Sequence, residues 1–244
     1  MRQVALLVVV VACKATDDFP VDPNTNPDQT HLRDAGAPSD VAVVVDADAN
    51  AIAGRVCLIT DPRVQSACAA TGAGGLTVKL ETATAITSAT GAFSIAKPSG
   101  SSPVWHVTGP KLQPSVVPFG ASTLLPAMLA ADYTTLEDDN GVTLQDATEG
   151  EIFVRIVRAG APLAKVRATS SPAGQYGVLY DTAIGDTWLP NAANGTGAAG
   201  MLWLPGTPIG LATVTITPMG GAPIAVPNIP VESQAITWVA VDAP

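Results

Sequence analysis

The chain has 244 residues, 47% of them hydrophobic and only 14% charged, with a formal net charge of −9. Nucleic-acid binding normally requires clustered Lys and Arg, so this charge balance excludes a nucleic acid as the expected partner. With two His and three Cys, the chain is also too poor in ligands for a zinc-cluster protein. We therefore expect no metal site and no cofactor.

Residues 1–13 have the pattern of a secretory signal, in which a basic residue precedes an apolar run. The segment from Val10 to Cys13 resembles the lipobox of bacterial lipoproteins. That resemblance implies cleavage before Cys13, acylation of this residue and a lipid anchor in the membrane of a bacterial cell envelope. Lys14 stands where some lipoproteins carry an acidic residue, which by the same resemblance favours the outer membrane. The alternative is that the apolar run is the first β-strand of the fold.

Residues 14–50 are the most acidic part of the chain, with eight Asp against Lys14 and Arg33. They contain four prolines and one aromatic residue, so they cannot bury enough apolar surface to offset the entropy of ordering. The sequence predicts a disordered tether here, with Val41–Val45 as a short strand at most.

The cysteines predict a disulfide. If Cys13 carries lipid, Cys57 and Cys68 remain, and in an oxidising compartment such a pair is read as a bond. It would close a loop of about a dozen residues and stabilise the fold by roughly 3 kcal/mol in the chain-entropy model. Two unpaired thiols are the alternative. A catalytic cysteine is not indicated, because neither His31 nor His106 lies near in sequence.

From Ile52 onward, short Val/Thr/Ile-rich segments alternate with turns of Gly, Pro and Asn, which is typical of an all-β sandwich. The period-two pattern places Leu76, Val78 and Leu80 on one face, and residues 89–91 have the composition of a turn. The predicted strands are Ile52–Ile59, Leu76–Glu81, Ala85–Ser88, Phe93–Ala96, Val104–Thr108, Ile152–Val157, Lys165–Thr169, Tyr176–Tyr180, Gly200–Leu204, Thr213–Thr217 and Ala235–Val241.

Residues 120–147 predict a connector with a short helix, capped by Asp132 and ending near Asn140 and Gly141. The three consecutive acids Glu137 to Asp139 point around the circumference of a helix and do not converge. They predict a solvated face and no metal site.

The two halves of the chain repeat one order of elements, which predicts two tandem sandwiches at residues 51–119 and 148–244. This arrangement resembles the carboxypeptidase regulatory-like domain, a transthyretin-like sandwich, and the resemblance implies a Greek-key topology for both. The residues that carry the resemblance are Gly54–Val56, Val78–Leu80, Thr87, Gly91 and Phe93 in the first half, and Ala161, Pro162, Val166 and 204–216 in the second. The resemblance implies a non-catalytic module.

The residues that carry chemistry form no known catalytic motif: the sequence holds no nucleophile elbow, zinc-protease motif or phosphate-binding loop. We therefore expect no catalytic residue. The alternative is a glycan-active hydrolase that uses the loop carboxylates Asp181 and Asp186.

The aromatic residues are the remaining candidates for binding. Trp203 and Trp238 lie in apolar strands and are expected in the core, whereas Trp188 lies in an Asp-, Asn- and Gly-rich stretch. An exposed ring there can stack on a sugar or insert into a protein, so Tyr176, Tyr180 and Trp188 are the candidate ligand-binding residues. The alternative is simple loop packing.

Together these features predict an envelope-anchored binding, adhesion or scaffold lipoprotein whose partner is a glycan or an envelope protein. A purely structural envelope component is a further alternative.

Overall fold

In a computed structural model of the chain, the structure describes residues 50–65, 67–100, 102–120, 122–144, 147–182, 187–190 and 193–244. The predicted signal and almost all of the predicted tether lie outside the described residues. The strands of the first half are β1 (Ala51–Leu58), β2 (Thr77–Leu80), β3 (Ala83–Ile86), β4 (Ala92–Ala96), β5 (Val104–Thr108), β6 (Leu112–Gln113), β7 (Ser115–Pro118) and β8 (Leu124–Leu129).

Helix α1 (Ala130–Asp139) follows β8, and the rest of the chain is again β-structure. The strands of the second half are β9 (Glu149–Arg158), β10 (Ala161–Pro162), β11 (Val166–Ser171), β12 (Leu179–Asp181), β13 (Trp188–Leu189), β14 (Met201–Pro208), β15 (Gly210–Pro218), β16 (Ile224–Val231) and β17 (Ile236–Asp242). The all-β prediction is therefore confirmed. None of the helices in the described part of the chain is both long and apolar enough to cross a membrane.

The strands form three sheets. A long sheet runs through both halves in the order β13-β12-β14-β9-β17-β7-β5-β2-β3, with β10 paired to β9. A four-stranded sheet has the order β4-β1-β8-β6, and a three-stranded sheet has the order β11-β15-β16. The smaller sheets cover opposite ends of the long sheet, so the layers are those of a β-sandwich.

The period-two pattern of the sequence sets the core. Leu76, Val78 and Leu80 are buried as predicted, and they pack against the four-stranded sheet. In the second half Ile152, Val154 and other residues of β9 face the three-stranded sheet. The predicted turn at 89–91 is also present, with Gly91 at a φ of 82°, a conformation that favours glycine.

The predicted connector contains a strand that sequence analysis did not find. β8 pairs in parallel with β1, so Leu124–Leu129 belongs to the first sandwich. Helix α1 begins at Ala130, earlier than predicted, because Leu129 occupies the N-cap position and Asp132, the predicted cap, lies in the first turn. The prediction of the helix itself and of its end at Asn140 and Gly141 is confirmed, since Asn140 is its C-cap.

The two halves share structure across the predicted boundary. β17 pairs in parallel with β7, and the Ile236 amide donates to the Pro114 carbonyl at 2.8 Å. His106 Nε2 in the first half lies 2.7 Å from Glu232 Oε1 in the second. Residues from 46 onward form one compact unit. The division into two tandem domains therefore stays a prediction.

Candidate functional site

The predicted disulfide is present. Cys57, at the end of β1, is bonded to Cys68, with the two Cα atoms 4.8 Å apart. The bond closes the loop that contains the 3₁₀ turn Pro62–Val64. Beyond this loop the Ala69 amide donates to the Leu58 carbonyl of β1 at 2.8 Å. Cys13, the predicted lipidation site, lies outside the described residues.

Trp188 is a core residue and not the exposed ring that the sequence analysis expects. Only 4% of its surface is exposed. Its indole ring makes edge contacts with Phe153 and Trp203, with both centroid distances 5.7 Å. Its backbone N–H is also engaged within the protein, because it donates to Asn140 Oδ1 at 2.8 Å. The polar stretch around Trp188 concealed this burial, since only the tertiary structure brings Phe153 and Trp203 beneath the loop.

The two tyrosines use their hydroxyls to hold backbone. Tyr180 is buried, and its hydroxyl accepts from the Ala168 amide at 3.1 Å and donates to the Ala168 carbonyl at 3.2 Å. The hydroxyl of Tyr176 makes the same pair of bonds with Thr143, at 2.9 and 2.8 Å. Tyr176, Tyr180 and Trp188 thus form no exposed aromatic surface, and their role in ligand binding stays a prediction.

Asp181 is a structural acid. Its side chain is buried and accepts hydrogen bonds from the amides of Gly197, Ala199 and Met201, each at 2.9 Å. Three backbone donors occupy the carboxylate, so it fixes the 197–201 loop and does not face a substrate. Asp186, its partner in the hydrolase alternative, lies outside the described residues.

The acidic run on α1 brings together no metal site among the described residues. Burial and the neighbouring Asp138 raise the pKa of Glu137 to about 7. The expectation of a uniformly solvated acidic face therefore does not extend to Glu137, which is partly covered.

An open apolar cleft in the described part of the chain was not predicted from the sequence. A cleft with a volume of about 600 Å³ lies where β7 and β17 diverge. We call it the β7–β17 cleft. Its floor and wall include Arg155, Trp238, Ala240, Asp242, Phe119 and Leu124. Phe119 and Leu124, which both line the cleft, each expose 39% of their surface, so two large apolar side chains are accessible at one site.

The local sequence explains the cleft. Pro118 ends β7, and proline has no N–H with which to continue a sheet ladder. The chain then turns away through Phe119 and Gly120 to reach β8, while β17 continues straight beside β9. A Pro-Phe-Gly sequence after a short apolar run was the available signal. It could not be interpreted because the strand across the cleft, β17, lies more than a hundred residues later.

Two charges lie in this apolar cleft. In the register of β9 with β17, Arg155 is opposite Ala240 and Asp242 is opposite Val157. In the described part of the chain, neither Arg155 nor Asp242 takes part in an ion pair or a side-chain hydrogen bond. The arrangement can therefore bind an apolar segment and offer it one cation and one carboxylate.

Comparisons with known proteins were made on sequence and on structure. No protein-family model matches the sequence, and no curated protein matches it either. Among solved structures, the chain is similar to the minor pilin GBS52 of Streptococcus agalactiae, with 11% identity and a TM-score of 0.26 over 70% of this chain and 84% of that one.

Two further similarities are of the same kind. The shaft pilin spaA of Lactobacillus rhamnosus GG shows 11% identity and a TM-score of 0.23 over 80% of this chain and 98% of that one. A chain of the type II cohesin–X-dockerin complex from Acetivibrio cellulolyticus shows 15% identity and a TM-score of 0.25 over 40% and 78%. TM-scores this low do not establish a shared fold. The resemblance to the carboxypeptidase regulatory-like domain likewise stays a prediction.

Proposed function

We propose that this chain is a non-catalytic binding protein of the bacterial cell envelope, which is anchored by lipid at Cys13 and holds a partner protein in the β7–β17 cleft. The observation that carries the proposal is the cleft itself, an open apolar recess with Phe119 and Leu124 exposed on its wall. Exposed apolar surface of this kind marks protein interaction sites in soluble domains.

The chemistry of the cleft favours a protein over a glycan. A sugar presents many hydroxyls and needs several polar partners, whereas the cleft offers two charged side chains in a mainly apolar lining. The rings expected to stack on a sugar are also engaged elsewhere, since Trp188 is buried and Tyr176 bonds to backbone. An apolar protein segment with one acidic group fits this surface better.

Export is supported by the disulfide. Structural disulfides persist in oxidising compartments and are rare in the cytosol, and Cys57 is bonded to Cys68. The apolar run before Cys13 supplies the matching signal in sequence. The intact mass of the protein purified from membranes tests this part, because cleavage before Cys13 and acylation change the mass in opposite and known directions.

The binding role is tested by photo-crosslinking in the native envelope. A benzoylphenylalanine placed at Phe119 is expected to form a discrete adduct with a second protein, because its ring lines the cleft. The matched control is the same probe at Ile86, which is 62% exposed but lies on β3, far along the sheet order from the cleft.

Each outcome is decisive for the proposal. An adduct that forms at Phe119, is absent at Ile86, and disappears when Leu124→Asp is added supports binding in the cleft. Equal adducts at both positions, or none at Phe119 in correctly anchored protein, would contradict it. Cytosolic protein that retains Met1 would contradict the anchored part.

A further inference from the structure

The edge of β17 is open along the cleft. β17 pairs with β9 over its whole length, from Ile236 to Asp242. On its other side the pairing with β7 ends at Thr237, opposite Val116. The stretch from Trp238 to Asp242 therefore has a strand neighbour on one side only, among the described residues.

The direction of the free backbone groups follows from the ladder. In a parallel strand, successive residues direct their N–H and C=O groups to alternate sides. The Ile236 amide donates toward β7, to Pro114, and the Ala243 amide donates toward β9, to Val157, each at 2.8 Å. The backbone groups of Ala240 and Asp242 therefore face the cleft, because they are separated from Ile236 by an even number of residues.

Proline stops the pairing of β7 with β17. The next hydrogen bond between these two strands would need an N–H at Pro118, which has none. An exposed strand edge with unpaired donors and acceptors is a template for another extended chain.

We propose that the β7–β17 cleft binds an extended segment of a partner protein as an additional β-strand along Trp238–Asp242. This inference rests on the proposed function and specifies its ligand. The edge is five residues long, or about 16 Å, which accommodates a segment of similar length. Main-chain bonds to Ala240 and Asp242 supply affinity that is largely independent of sequence.

The side chains of the cleft define the chemistry of the segment. Alternate residues of an added strand point to the same face, so one set meets the apolar wall at Phe119 and Leu124. Arg155 has no anionic partner within the described chain and is complementary to a carboxylate on the segment. The expected ligand is thus a strand with alternating apolar side chains and one acidic group.

The test uses a fluorescent seven-residue probe of alternating Thr and Val that ends in Asp, added to the full chain purified from membranes. Its matched control has the same side chains but carries N-methyl groups on two consecutive central residues, so that both edges of the peptide lose a donor. We expect saturable binding of the probe and at least about tenfold weaker binding of the control. Deuterium exchange at 238–242 should slow when the probe binds.

Protein variants separate strand addition from apolar burial. Ala240→Pro removes a donor that faces the cleft and is not needed by β9, whereas Ala240→Ser keeps it. The Pro variant should bind the probe about tenfold more weakly, and the Ser variant should bind normally. If the Pro variant does not fold, as judged by its melting temperature, the N-methylated peptide decides the question alone.

The outcomes distinguish the two proposals. Equal binding of probe and N-methylated control, with both lost in Leu124→Asp, overturns strand addition and leaves the binding cleft in place. Absence of probe binding together with a Phe119 crosslink in the envelope also overturns strand addition alone. Absence of both overturns the proposed function.

Discussion

Trp203 donates its indole N–H to Glu151 Oε2 at 2.7 Å, inside the long sheet. Glu151 is 1% exposed, and its other oxygen, Oε1, has no hydrogen-bond partner among the described residues. Burial raises the pKa of Glu151 from 4.5 to about 8, and the bond from Trp203 offsets part of that rise. The carboxyl is therefore protonated in the folded protein at neutral pH.

This relationship predicts how stability depends on pH. Between pH 4.5 and about 8 the folded protein keeps a proton on Glu151 that the unfolded chain releases. The free energy of unfolding therefore falls as pH rises through this window, since the folded state binds more protons. Glu151→Gln, which retains an acceptor for Trp203, should flatten the dependence and stabilise the protein at pH 8 by roughly 2–4 kcal/mol.

Urea denaturation at pH 5 and pH 8 measures the effect. Asp139→Asn is the control, because Asp139 is an exposed acid at the end of α1. An unchanged pH dependence in Glu151→Gln would contradict the protonated state of the buried carboxyl.

The disulfide predicts a loss of stability on its removal. The Cys57–Cys68 bond spans a sequence separation of 11 residues. The double variant Cys57→Ala, Cys68→Ala should lower the free energy of unfolding by about 3 kcal/mol, because it frees that loop in the unfolded chain. Denaturation of the wild-type protein with and without reductant provides the control. A variant as stable as the oxidised protein would show that the bond does not constrain the fold.

The hydrogen bonds of Asp181 predict that its substitution lowers the stability of the protein and does not act on a catalytic step. Asp181→Ala removes the side-chain acceptor of the buried Met201 amide and of the partly buried amides of Gly197 and Ala199. It should destabilise the protein by about 3 kcal/mol. Asp181→Asn retains one acceptor oxygen and should cost less. Denaturation curves give both values. If instead either variant kept full stability but lost a measured glycan-hydrolase activity, the hydrolase alternative would be correct.

The ring contacts of Trp188 predict that its substitution lowers the free energy of unfolding. Trp188→Ala removes a ring that contacts Phe153 and Trp203 and should lower the free energy of unfolding by about 3–5 kcal/mol. Trp188→Phe should cost less because it keeps an aromatic ring in the same place. A Trp188→Ala protein of normal stability that fails to bind a glycan array would restore the exposed binding site predicted from sequence.

The shared sheet predicts one unfolding transition. The aromatic cluster that contains Phe153, Trp203 and Trp238 also includes Met128 and Tyr133 from the first half. Because the halves share this cluster and the β7–β17 pairing, they should unfold together, with equal calorimetric and van't Hoff enthalpies. Two resolved transitions in calorimetry would instead support independent tandem domains.

The β7–β17 cleft is the feature of the candidate site that could not be predicted from the sequence. Each strand beside it has local signals, and Pro118 visibly interrupts β7. The opposing edge, however, is formed by β17, which is distant in the chain. Pairing between distant strands leaves no local pattern, because each strand's periodicity records which face is buried and not which neighbour it has. The burial of Trp188 was missed for a related reason, since its polar neighbours in sequence gave no indication of the rings that it contacts.

Local patterning alone determined the all-β class, the faces of Leu76, Val78 and Leu80, and the end of α1 at Asn140. It also determined the Cys57–Cys68 bond, because only two cysteines remained in the domain. Only the tertiary structure decided that the halves share a sheet, that Glu151 is buried, and that an edge of β17 is open. These properties depend on contacts between residues far apart in the chain, which the short-range periods of strands and helices do not encode.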